Sequence, residues 1–156
     1  MSMNRRLFLK GGVAASALGV VAGAGLLTPR AVLAAWPKAA FDAESVEGAL
    51  EGVYGASGTT DSGDIKIKAP DIAENGAVVP ITVSTGMSGV ESITIMSAEN
   101  ENPMAAAFDL SGRTEAYVST RIKMAQTSDV VAVVKAGGKM HKAAKNVKVT
   151  IGGCGG

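Results

Sequence analysis

The chain has 156 residues, with 15 basic and 14 acidic side chains, one histidine and one cysteine. That near-balance leaves no basic footprint for nucleic acid, and a lone cysteine cannot close an intramolecular disulfide. Aromatic residues are only 4% of the chain, so a core must be built from Val, Ile, Ala, Leu and Met.

The N-terminus carries Arg5-Arg6-Leu7-Phe8-Leu9-Lys10, an apolar stretch from Gly11 to Leu27, and Val32-Leu33-Ala34-Ala35 after Arg30. A basic start, an apolar middle and a small-residue cut site are the three parts of a signal peptide. The pair Arg5 and Arg6 predicts export by the twin-arginine route, which moves folded proteins, and hence a periplasmic location. Residues 1–34 are therefore expected to be removed, with cleavage after Ala34 or Ala35. The alternative is an N-terminal anchor that is never removed, but the apolar stretch is short and dilute for a membrane span. No cysteine lies near the cut to carry a lipid. The signal holds four basic residues and no acid, so the mature part keeps 11 basic and 14 acidic residues, a formal charge of −3. Its remaining length, residues 35–156, suits one domain with one core.

Pro37 to Tyr54 is expected to be helical: Val46, Ala49, Leu50 and Val53 recur at i, i+3, i+4 and i+7, and Asp42 is placed to cap the helix. Gly55 to Gly63 reads as a loop. From Asp64 the period becomes two. Ile65 and Ile67, then Val79, Ile81 and Val83, then Val90 to Met96 predict strands. Met104 to Leu110 is a weaker one. Thr114 to Met124 points Ala116, Val118, Thr120, Ile122 and Met124 one way, and Val130 to Ala136 is continuously apolar, as a strand covered on both faces would be. Gly137-Gly138 is a hairpin turn signal, and Val147, Val149 and Ile151 return. Seven short strands with turns between them predict an all-β, immunoglobulin-like antiparallel β-sandwich over 35–151, with a short N-terminal helix. Pro70, Pro80 and Pro103 fall where a missing N–H does little harm.

The chain ends Gly152-Gly153-Cys154-Gly155-Gly156. Residues 152–156 read as a flexible arm, because glycine restricts φ/ψ least. They are also thin, and five extended residues span roughly 15–18 Å, enough to take a thiol into a partner's buried site. Thiolate sulfur forms covalent, reversible bonds to other sulfur atoms. Lys148 is the nearest cation in sequence, so no strong local activation of the thiol is encoded. That favours a carrier over a catalyst. The competing reading is a non-catalytic exported module whose Cys154 only dimerises it by a disulfide.

The ending Val149-Thr150-Ile151-Gly152-Gly153-Cys154-Gly155-Gly156 resembles the C-terminus of the SoxY family, the sulfur-carrier subunits of the bacterial Sox thiosulfate-oxidising system. The resemblance also takes in the twin-arginine signal, the helix around Phe41 to Tyr54, Asp64-Ile65-Lys66-Ile67 and Asn102-Pro103. It implies an immunoglobulin-like carrier that is not itself an enzyme and that forms a heterodimer with a SoxZ-like subunit. It implies covalent attachment of thiosulfate-derived sulfur at Cys154, on an arm made of Gly152, Gly153, Gly155 and Gly156, with no cofactor. It further implies transient contact with a SoxXA-like haem enzyme that joins thiosulfate to the thiol, a SoxB-like hydrolase that releases sulfate, and in some organisms a SoxCD-like sulfur dehydrogenase.

Other sites are weaker. His141, beside Lys139 and Lys142, reads as a solvated turn residue. One histidine cannot build a blue-copper site or a four-ligand zinc site. Met87, Met96, Met104, Met124 and Met140 offer thioethers that could bind copper, but their spacing puts Met96 and Met124 in strands as core filler, the commoner role. Gly86-Met87-Ser88-Gly89 misses a nucleophile elbow because Val90 stands where glycine is needed. Glu99 and Glu101 read as a solvated loop.

Overall fold

The computed structural model describes residues 37–111 and 114–150. The signal read over 1–34 and the arm 152–156 lie outside them. Two helices come first, α1 (Lys38–Phe41) and α2 (Val46–Tyr54), followed by nine strands. These are β1 (Thr60–Asp61), β2 (Ile65–Lys68), β3 (Ile72–Ala73), β4 (Val79–Thr85), β5 (Val90–Ser97), β6 (Met104–Asp109), β7 (Tyr117–Ile122), β8 (Ser128–Ala136) and β9 (Lys139–Val149). One sheet has the order β1-β9-β8-β5-β6, with β3 also paired to β9, and the other has the order β2-β4-β7. The expected sandwich is present, and it has three layers on one side because the helices cover the outer face of the larger sheet.

Between the sheets lies the main core. Ile93 and Ile95 of β5, Val130, Ala132 and Val134 of β8 and Val147 of β9 meet Val79, Ile81 and Val83 of β4 and Val118 and Ile122 of β7. Burial of each such aliphatic side chain contributes about 1.5–3 kcal/mol. A second cluster joins Ala40, Ala49 and Leu50 of the helices to Met96, Met104 and Val133 on the outer face of the same sheet. β8 is therefore covered on both faces, which its unbroken apolar run predicts. Met96 and Met124 are both buried filler.

Several expectations need correction. The N-terminal helix is two helices, and its cap is not Asp42. Asp42 closes the C-terminal end of α1, while Ser45 caps α2, its Oγ accepting from the Gly48 N–H at 3.1 Å. The break lets α1 fold back on α2 so tightly that a Cβ on Gly52 would lie 2.5 Å from the Ala40 nitrogen. Ser92 and Thr94 are the polar residues that alternate with Ile93 and Ile95 along β5. Both are buried, and the Tyr54 hydroxyl at the end of α2 bonds to their hydroxyls at 2.9 and 2.6 Å. The sandwich is not wholly antiparallel either, since β1 and β3 pair with β9 in parallel. His141 lies within β9, opposite Val134 and beside Thr60, and is half-buried there rather than solvated in a turn.

The Gly137-Gly138 turn joins β8 and β9 as expected, with φ of 56° and 73°. These left-handed angles suit the primed turns that match strand twist, and glycine adopts them without penalty. Pro80 sits in β4 opposite Arg121 of β7, at a point that β2 does not reach, because β2 pairs with β4 only from Thr82 onward. A missing N–H costs no ladder bond on the open side.

Candidate functional site

β9 carries the chain to the base of the arm. Over Lys139–Val147 it is paired residue by residue with β8, ending at Ser128 opposite Val147. Beyond that point β8 offers no partner, and a small clip takes over. β3 runs parallel to the end of β9, with Ile72 opposite Lys148 and Ala73 opposite Val149. The Lys148 N–H donates to the Asp71 carbonyl at 3.0 Å, and the Thr150 N–H to the Ala73 carbonyl at 3.0 Å. On the other side, the Thr127 hydroxyl accepts from the Val149 N–H at 3.0 Å and is 3.4 Å from the Val149 carbonyl.

The loop after β3 locks the clip to the core. The Met124 N–H donates to the Gly76 carbonyl at 2.7 Å. A Cβ on Gly76 would stand 2.3 Å from the Met124 carbonyl oxygen and 2.9 Å from the Val149 side chain, so only glycine fits this close approach. Asn75 shapes the same loop by accepting from the Ala77 N–H at 2.9 Å, a side-chain turn that asparagine favours. Below it, Lys145 donates to the Ala69 carbonyl at 2.7 Å and pairs with Asp71 at 3.1 Å. The base of the arm is thus fixed to within one residue of where the glycines begin.

Cys154 and the arm glycines Gly152, Gly153, Gly155 and Gly156 lie outside the described residues, as do Arg5 and Arg6. What is described is the end of β9 that leads to them. Its charged side chains are Glu74 and Lys148, both exposed, and the Lys145–Asp71 pair. Two of the three exposed large apolar side chains among the described residues stand there, Ile72 at 58% and Val78 at 52% exposure. Sequence reasoning missed them. The available signal was a pair of aliphatic residues set among Asp71, Glu74, Asn75 and Gly76, where a loop has no need of them.

Elsewhere the described surface offers little chemistry. No three His, Cys, Asp or Glu side chains among the described residues converge as metal ligands. A groove of about 260 Å³ between α2 and the β8–β9 face is crossed by the Lys142–Asp61 ion pair at 3.7 Å. Glu99 and Glu101 border a shallow open hollow beside Glu44 and are exposed.

Comparison with known proteins bears on this end of the molecule. A family model described as "Sulfur oxidation protein SoxY" matches residues 50–154, from the middle of α2 through Cys154. The chain belongs to the SoxY family. A solved structure, the sulfur carrier protein SoxY from Chlorobium limicola f thiosulfatophilum, is 47% identical, with a TM-score of 0.60; the match covers 66% of this chain and 94% of that one. Superoxide reductase (neelaredoxin) from Ignicoccus hospitalis is similar at 20% identity and a TM-score of 0.50, over 55% of this chain and 80% of that one. That second likeness extends to the sandwich alone. No curated protein matches.

Proposed function

We propose that this protein is a periplasmic sulfur carrier, exported by the twin-arginine route, that holds thiosulfate-derived sulfur on Cys154. The observation that carries the reading is the family match, which runs through the chain's one cysteine and therefore includes the ending that bears the thiol. The identity to a sulfur carrier over most of that carrier's length supports it. The clipped base of β9 supports it physically, because a thin arm delivers a thiol reproducibly only if its root is fixed.

The chemistry balances at the thiol. A Cys154 thiolate joined to thiosulfate gives a cysteine S-thiosulfonate and releases two electrons, which a SoxXA-like haem enzyme accepts. Water then cleaves the terminal S–S bond to the sulfone, releasing sulfate and two protons and leaving a persulfide on the cysteine; a SoxB-like hydrolase catalyses this. A SoxCD-like dehydrogenase, where present, oxidises the remaining sulfane sulfur. The carrier supplies no acid, base or metal to these steps. It supplies the thiol, the reach and, with a SoxZ-like subunit, the surface that partners read.

Intact mass of the protein purified from periplasm after exposure of cells to thiosulfate tests the reading. Sulfur adducts on Cys154 that reductant removes, with a second small subunit co-purifying, are expected. A thiol that is bare or merely dimerised under every condition sinks the carrier reading. Cys154→Ser is expected to fold and to bind its partner subunit while abolishing carrier-dependent thiosulfate oxidation.

A further inference from the structure

We propose that Ile72 and Val78 form the docking rim by which this carrier seats itself on the enzymes that act on Cys154, and that those enzymes present an apolar lip around the channel that receives the arm. The inference rests on the carrier reading and names the surface that reading requires.

Reach makes the argument. Cys154 is four positions beyond Thr150, so even fully extended the cysteine stands no more than about 14 Å from the last clipped residue. A partner that buries the thiol in its own site must therefore bring its channel mouth against the base of the arm. The surface waiting there is the clip. Ile72 lies opposite Lys148, two residues from the end of the described chain. Val78 follows the loop whose Gly76 packs against Val149. Each is exposed while its neighbour, Ala73 or Val79, is buried, so both side chains point out of the fold and not into it. The loop between them is held by Asn75, Gly76 and Met124, so the pair is presented rigidly. A contact of two aliphatic side chains is small, and that suits a carrier that must leave each enzyme after one step: weak, transient encounters occupy the low end of interface size.

The test uses the full-length carrier with its co-purifying subunit, added back to a periplasmic extract from cells of the same organism in which the carrier gene is deleted. Thiosulfate oxidation is followed as carrier concentration is varied. Ile72→Ser with Val78→Ser is expected to raise the half-saturating concentration at least tenfold and to leave the limiting rate unchanged. Alkylation of Cys154 by iodoacetamide is expected to proceed at the unaltered rate, because the arm itself is intact. Tyr117→Ser removes an equally exposed apolar side chain at the far end of β7 and is expected to shift nothing. The milder pair Ile72→Thr and Val78→Thr, β-branched like the originals, guards against misfolding; it is expected to melt as the wild type does and to show a smaller shift of the same kind. An unchanged half-saturation, while Cys154→Ser is silent, overturns the docking rim and leaves the carrier reading standing. Equal effects from Tyr117→Ser overturn it as well. Loss of the co-purifying subunit makes the face a permanent interface and overturns the proposal. Full activity of Cys154→Ser overturns both readings.

Discussion

β9 is held differently at its two ends. Over Lys139–Val147 it has β8 on one side in unbroken register, and β1 beside His141 and Lys142 on the other. At Lys148 and Val149 it has only the two-residue β3, one threonine hydroxyl and a loop pinned by Gly76. The long half is stabilised by the sandwich core, and disturbing it is felt by the whole domain. The short half is stabilised by a few hydrogen bonds, and disturbing it is felt locally, where the arm begins. A sulfur carrier is served by both: a stable domain, and a fixed root to the chain's last residues.

The sharpest break is at the last residue of the long half. Val147 is fully buried between the sheets. Val147→Asp places a charge there with no partner, and an uncompensated buried charge costs about 3–5 kcal/mol. Denaturant unfolding should show a loss of that size, and a loss under 1 kcal/mol would mean that β9 can slip to expose the position. Gly76→Ala probes the short half. The new Cβ must displace the Met124 carbonyl or the Val149 side chain, and overpacking of this kind costs about 1–3 kcal/mol. Its distinguishing mark is local: hydrogen exchange at the Lys148 and Thr150 amides should accelerate more than at β9 amides paired with β8. Uniform acceleration would show that clip and core unfold as one unit. Thr127→Val is smaller again. It keeps the shape and removes the hydroxyl that accepts from the Val149 N–H. A hydrogen bond of this type contributes about 0.5–1.5 kcal/mol, and exposure of Thr127 puts the effect at the low end. Faster exchange at the Val149 amide with little change in global stability is expected, and no change there would mean that water replaces the hydroxyl without loss.

The sheets of the sandwich were legible in sequence and the ties at the end of β9 were not, for a physical reason. Alternation over five or more residues, as in Val79–Ile81–Val83 or Ala116–Val118–Ile122, announces both strand and inward face, and those faces are the buried ones. Within β9 itself Val147 and Val149 marked a returning strand, whereas the stretch from Lys139 to Asn146, with His141 read as a turn residue, carries no such alternation. β7 proved shorter than the Thr114–Met124 expected, and of the residues assigned inward Ala116, Val118, Ile122 and Met124 are buried and Thr120 is half-buried. Two-residue strands such as β1 and β3 carry no period to read; they exist because β9 presents an edge to them. The second covered face of β5 was not read from the sequence: Ser92 and Thr94 are buried there under α2, with Tyr54 satisfying their hydroxyls. Met96, on the same side two residues on, was the sign that this face is covered. Asp42 and Ser45 are both good caps, and only the turn between α1 and α2 decides which helix each serves. The SoxY family was legible in the ending, Gly-Gly-Cys-Gly-Gly, whereas Ile72 and Val78 lie more than seventy positions earlier, brought beside the end of β9 by a parallel pairing that no local pattern reveals.

The smallest effect sharpens the contrast from the far end of β9. A bulge in β5 leaves Glu91 between Val90, opposite Ala136, and Ser92, opposite Lys135. The freed carboxylate closes the hairpin, accepting from the Gly138 N–H at 2.9 Å and pairing with Lys135 at 3.1 Å. The Gly138 bond first, and Lys135 after it, hold the Glu91 carboxyl below its ordinary value of 4.5. A carboxylate whose folded pKa is lowered adds stability that is complete above that ordinary value and disappears as pH falls through the lowered one. Glu91→Gln should therefore lower the melting temperature slightly near pH 7, and the difference from wild type should vanish in acid. It should also shrink in high salt, since the site is exposed and screened. The hairpin end of β9 would then respond to pH through a carboxylate that accepts from a backbone amide, whereas the Lys148 and Thr150 N–H groups at the clipped end donate to the Asp71 and Ala73 backbone carbonyls. A melting difference that persists undiminished at pH 3 would mean that the glutamate acts through packing rather than charge, and that the two ends of β9 differ in length of pairing alone.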